Sequence, residues 1–208
     1  MRPLRPIAPL LVLLSLTFCT STRPVDMSEP RRMVGTDNDV RVDAEIYGDT
    51  LTSGISIALK CDVTNHRDTT ILIADLLPQA TFDPETQVVT IDIGSEIPGE
   101  QFLPRLLSIA PSGRRTFTTG ARFSAPSVPG FRSPKALRIR VNFLGGETKP
   151  FESLIDIPER AVRDPALASA IFTRWVERNE TVLTNSLPMR WAGGSEEGGD
   201  SSHRRRRP

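Results

Sequence analysis

Two histidines, two cysteines and twenty-five carboxylates are the side chains with which this 208-residue chain can do acid–base, nucleophilic or metal chemistry. Their spacing gives them little to work with. His66 sits in the polar run Asn65-His66-Arg67-Asp68, and His203 sits in a Gly/Ser/Arg-rich stretch near the C-terminus. Neither ring has a Cys, His or carboxylate at zinc-ligand spacing, so no metal set is expected. A Ser-His-Asp arrangement would have to recruit one of these two rings. No Gly-x-Ser-x-Gly turn, phosphate-cradling glycine loop or dinucleotide fingerprint occurs, so no cofactor is expected either. Asp37, Asp39 and Asp43 are spaced like the opening of a calcium loop but lack its glycine turn and closing Glu. The carboxylates remain. Two acids about 5–10 Å apart in a cleft, one with a raised pKa, would suit a glycan hydrolase, and spacing alone does not place such a pair.

The cations carry one further pattern. Only three are lysines (Lys60, Lys135, Lys149), and the rest are Arg, which suits bidentate contact with phosphates or carboxylates. Arg138 and Arg140 share one face of an alternating run, Lys135 lies just before it, and Arg122 joins that face if the two strands pair. Together these four form a candidate contact for an anionic envelope polymer. No catalytic residue is expected.

The elements that must position these groups are strands. Apolar and polar residues alternate with period two in several runs separated by turn residues, the pattern of half-buried antiparallel strands. Val40, Val42, Ala44 and Ile46 alternate with charged neighbours. Ile55, Ile57, Leu59, Cys61 and Val63 do the same, which puts Cys61 in the core as a small hydrophobe and not as a reactive thiol. Thr70–Leu77, Val88–Ile93, Leu106–Ile109 and Thr116–Ser124 follow. In Ala136–Leu144, the residues Leu137, Ile139, Val141 and Phe143 face in. Gly145-Gly146 then predicts a hairpin into a strand over Phe151–Ile157. Seven to nine such strands predict an antiparallel β-sandwich, because each one-sided sheet must cover its apolar face. The 18 prolines fit a fold of many turns. Asp164-Pro165 opens an amphipathic helix, with Leu167, Ala168, Ile171, Phe172, Trp175 and Val176 on one face. The rhythm of residues 38–158 resembles bacterial immunoglobulin-like domains, without a Cys-Trp-Cys core or any other diagnostic motif.

The N-terminus speaks to compartment. Arg2 and Arg5 precede the apolar run Ile7–Phe18, which is too short to span a bilayer and suits a signal peptide over residues 1–18. Leu16-Thr17-Phe18-Cys19 resembles the bacterial lipoprotein signal, with Phe18 where a small residue is usual. The resemblance implies lipid attachment at Cys19 and a membrane anchor; ordinary cleavage near Ser21 is the alternative. Residues 19–38 read as a flexible tether, 39–158 as the sandwich, 159–191 as a C-terminal helical extension and 192–208 as a disordered tail ending in Arg204–Arg207. With 38% hydrophobic and 25% charged residues and a net charge of +1, the chain has the balance of a globular protein.

Those features predict a non-catalytic module of the bacterial cell envelope, membrane-anchored and engaging an unidentified envelope protein through loops or an edge strand. Export argues against a nucleic-acid partner. The competing expectations are an envelope enzyme with a carboxylate site and an export or assembly accessory.

Overall fold

A computed structural model of the chain describes residues 30–75, 78–95, 103–126, 128–146, 149–159 and 164–192. The fold is mainly β and sandwich-like, with a single α-helix among the described residues. Its strands are β1 (Arg31–Asp37), β2 (Val40–Ile46), β3 (Thr50–Leu51), β4 (Ser56–Asn65), β5 (Ile71–Asp75), β6 (Gln79–Asp83) and β7 (Val88–Ile93). They continue with β8 (Arg105–Ile109), β9 (Arg114–Arg122), β10 (Ala136–Gly145), β11 (Asn179–Leu183), β12 (Leu187–Pro188) and β13 (Arg190–Trp191). Helix α1 covers Pro165–Arg178. The main sheet runs β1-β2-β4-β9-β6-β7-β10-β5-β8, while β11 and β12 pair with the other edge of β10.

Most of the alternation read from the sequence is buried, the exception being Ile55, expected to face inward and 60% exposed. Leu137, Ile139, Val141 and Phe143 of β10 are fully buried, and so are Val42 and Ala44 of β2 and Cys61 and Val63 of β4. These side chains meet in one core with Val89 and Ile91 of β7 and Val182 of β11. The strand β10 is the hinge of the architecture. It pairs in parallel with β7 over Ala136–Val141, then takes β5 at Leu144 and Gly145. Where β7 gives way, Asn142 replaces the lost ladder: its Nδ2 donates to Ile93 O at 2.9 Å and to Ser95 Oγ at 2.8 Å. Gly94 makes the turn there at φ +77°, and a Cβ on it would lie 2.5 Å from the Asn142 carbonyl.

Several boundaries differ from the sequence reading. The tether expected through residue 38 contains β1, joined to β2 by Asn38-Asp39 with φ of 50° and 55°. That is a two-residue hairpin loop of the kind Asn and Asp tolerate. The strand escaped notice because only Met33 and Gly35 of its seven residues are buried, so it carries no apolar alternation. The expected hairpin at Gly145-Gly146 does not form, and Lys149–Leu154 is a short 3-10 helix. The antiparallel neighbour of β10 comes instead from beyond the helix, with Arg140 opposite Leu183 and Leu144 opposite Asn179. The C-terminal extension is therefore helix followed by three strands.

Helix α1 starts as expected. The Asp164 carboxylate accepts from Leu167 N at 2.8 Å, and Pro165 occupies the first turn, where its missing N–H costs nothing. Its buried stripe is narrower than expected. Ala168, Ile171 and Trp175 enter a second, smaller core with Leu72, Leu106 and Phe151. Phe172 and Val176 stand one residue further round, about 100° away on a helical wheel, and are 38% and 66% exposed.

Candidate binding site at the open edge of β6

Strand β6 is paired along one side only. Its inner edge runs antiparallel to β7 from Gln79 opposite Asp92 to Asp83 opposite Val88. Its outer edge meets β9 in a single parallel pair, Gln79 with Arg122. Beyond that pair no strand among the described residues hydrogen-bonds to Ala80–Asp83 on this side. The cause lies in the chain that follows β9. Phe123 O accepts from Gly54 N at 2.8 Å, and Ala125 N donates to Ser53 Oγ at 3.0 Å. Both bonds draw this stretch toward the turn at Ser53-Gly54. Pro126 then has no N–H to offer a neighbour.

A cavity of about 700 Å³ occupies the gap, lined mainly by Ala80, Phe82, Pro84, Phe123, Pro126 and Phe131. Its charged lining residues are Glu85 and Arg132. The aromatic rings hold one another in place. Phe82 lies 5.8 Å from Phe123 and 5.2 Å from Phe131 between ring centroids. Trp191 closes the circuit from behind, 6.0 Å from Phe123 and 6.2 Å from Phe131. Tilted and edge-on contacts of this kind are favourable beyond the area they bury. Trp191 is fixed in turn by the pairing of β13 with β3. A second cavity of about 660 Å³ borders the same strand and is lined by Ser56, Pro78, Gln79, Thr81, Gly120 and Arg122, with Ala80 common to both cavities.

The four cations singled out in the sequence are partly brought together. Strands β9 and β10 do not pair, because β6 and β7 lie between them. Arg122, Gln79, Asp92 and Arg140 nevertheless form one row across the sheet. Side-by-side residues share a face, so Arg122 and Arg140 project on the same side, about 15 Å apart at ordinary strand spacing. The strip is not uniformly basic. Arg140 is engaged with Asp92 at 3.1 Å, and Arg138 Nε donates to Thr90 Oγ1 at 2.9 Å. Lys135 is exposed and has the in-strand parity of Leu137 rather than of Arg138. Arg122 and Arg132 make no side-chain bond to any described residue.

The convergence of acids lies elsewhere, in a cleft of about 480 Å³ on the polar face of β2 and β4. Asp43 stands directly across from Asp62, and Glu45 across from Lys60. Two like charges in register would repel, and cations neutralise them. Arg41 grips Asp43 with a two-pronged contact at 2.7 and 2.8 Å. Asp62 accepts from the Thr116 hydroxyl and from Arg114. Glu45 lies between Arg32 at 3.0 Å and Lys60 at 3.5 Å. The bond from Arg41 holds Asp43 below the usual carboxylate range, and the bonds from Thr116 and then Arg114 do the same for Asp62.

Burial pushes the Cys61 thiol up to about 12, so it stays protonated at neutral pH. His66 is exposed, and its backbone N–H donates to Asp39 O at 2.8 Å. Among the described residues no group of three or more His, Cys, Asp or Glu side chains converges as metal ligands. Cys19, the signal segment, His203 and Arg204–Arg207 lie outside the described residues. The aromatic site itself was not anticipated from the sequence. Its one signal was Phe131, a large apolar side chain inside a loop of Pro, Gly and Ser where nothing local needs one. Compared with known proteins, the chain matches no family model and no curated protein.

Proposed function

We propose that this chain is a non-catalytic module of the bacterial cell envelope, exported, held at a membrane by lipid on Cys19, and engaging a protein partner through the open edge of β6. The observation that carries the reading is the edge from Ala80 to Asp83, which no described strand pairs, beside an aromatic-lined cavity. Backbone groups that lack a partner strand supply affinity to an added strand, and a neighbouring pocket supplies specificity. The acids point the same way. A glycan hydrolase needs one carboxyl that keeps its proton near neutral pH, whereas Asp43 and Asp62 are held below the ordinary range. The open edge also suits an assembly accessory that caps a client strand, which is a second reading of the same surface.

Two measurements test the proposal. Mass spectrometry of the mature N-terminus from cells should find an acylated Cys19; cleavage near Ser21 with no lipid would remove the anchor. Panning a displayed peptide library against the exported chain should return sequences whose retention depends on Phe131. Retention unchanged in Phe131→Ala would remove the proposed surface.

A further inference from the structure

Resting on the reading that the edge of β6 takes up a partner, we infer that the segment fitting it is an extended peptide in which large apolar residues alternate with carboxylates. Three observations lead there. The first is the pair of cavities on one strand. Successive side chains of a strand point to opposite faces. Ala80 and Phe82 line the aromatic cavity, while Gln79 and Thr81 line the cavity that holds Arg122. A strand laid in the gap beside β6 sends its own side chains in the same two directions, so every second residue enters each cavity.

The second observation is the contrast in lining. The inner side presents Phe82, Phe123 and Phe131, with Pro84 and Pro126 beside them. It accepts a large apolar side chain and offers an inserted polar one few partners. The outer side presents Ser56, Gln79, Thr81 and Arg122, which are hydrogen-bonding groups and a guanidinium. A carboxylate there gains a charge-assisted bond, and Arg can meet it with two parallel N–H groups.

The third observation is the charge left over. Asp92, the nearest acid in the row of Arg122, is already engaged by Arg140. Arg122 and Arg132 make no side-chain bond to a described residue and Arg138 bonds only the neutral Thr90 hydroxyl, three cations against the two carboxylates at the edge, Asp83, which is held by Thr86, and Glu85. The surplus around the open edge is therefore positive, which favours an acidic segment and disfavours a basic one. The free edge spans Ala80–Asp83, so the recognised core is about four residues long, two side chains to each cavity.

Three synthetic eight-residue peptides test this against the exported chain by fluorescence anisotropy. One alternates Phe and Asp, one alternates Phe and Lys, and one alternates Ser and Asp. The first should bind at least tenfold more tightly than either of the others. Hydrogen exchange should show new protection at the alternate amides of Ala80–Asp83 that point away from β7. Arg122→Glu should reverse the preference between the Asp and Lys peptides without changing the melting temperature, because the Arg122 side chain is exposed and makes no bond to a described residue. Phe131→Ala should weaken the first peptide at least tenfold. Equal binding of the Asp and Lys peptides overturns the inference and leaves the edge reading standing. So does a displayed-library consensus of another pattern that still depends on Phe131. If no peptide binds and no library sequence depends on Phe131, both fall. Dimerisation through β6, seen as a doubled mass with the same protected amides, overturns the inference as well.

Discussion

On the polar face of β2 and β4, Asp43, Glu45 and Asp62 each meet a cation of their own sheet, so the charge there is spent internally. Two strands further along, among the described residues, β6 leaves a backbone edge unpaired, an aromatic-lined cavity open and the Arg122 side chain without a partner. Both regions hang from the same core and both are concave. The difference shows why concavity alone does not mark a site. A cleft whose groups satisfy one another has little to offer a ligand, whereas one whose hydrogen-bonding and apolar surfaces are left unsatisfied gains free energy when they are covered.

The comparison breaks most severely if the two regions do not share a core. Phe143 is fully buried in the core that both share, and Phe143→Ala should cost about 3–5 kcal/mol. Denaturant unfolding followed by circular dichroism and by Trp fluorescence should then shift together; separated transitions would mean that β6 and β2 belong to different cooperative units. Asn65 sets the next scale. It is fully buried, and its Nδ2 donates to Thr69 O, Ile109 O and Ala110 O at 2.8, 3.0 and 3.1 Å. Asn65→Ala removes the donor from Thr69 O and Ile109 O, while Ala110 O keeps Gly113 N, and should cost about 2–3 kcal/mol, measured as a lower denaturation midpoint at constant slope.

Phe131→Ala sharpens the comparison from the other side. The ring is half-buried, so its removal should cost only about 1–2 kcal/mol of stability while abolishing peptide uptake. A variant that unfolds outright would show the aromatic circuit to be core and not site. The cleft should respond to pH, as should Asp83 and Asp156, whose carboxyls are also held below the usual range. Asp43 and Asp62 have folded pKa values below their unfolded ones, so their contribution is complete above about pH 5 and is lost as pH falls through about 4 and below. The melting temperature should drop over that window, and Asp62→Asn should flatten the drop without touching peptide binding. The smallest effect belongs to Arg32, whose side chain is 70% exposed beside Glu45. Arg32→Ala should stay within about 0.5 kcal/mol in thermal melts; a larger loss would mean that the cleft is a cooperative network.

Much of the scaffold was legible one residue at a time. The inward set of β10, the burial of Cys61 and the Asp164 cap all follow from periodicity or local chemistry, and each is where the sequence placed it. What escaped has a common cause. Strands β1 and β11 carry little apolar alternation because each is only partly buried, and β6 alternates Ala80 and Phe82 with polar residues over five positions only, none of them fully buried. The role of Arg122 was half visible. Its strand and exposed face could be read, but its neighbours could not, because adjacency in a sheet is not adjacency in sequence.

By itself, the order of residues determined that this chain must press apolar strand faces together, since alternating side chains can be buried only on one side. Tertiary structure alone decided which edge is left over. That choice rests on two hydrogen bonds that pull Phe123–Ala125 toward Ser53-Gly54 and away from β6, and bonds between residues some seventy positions apart leave no periodic trace along the chain.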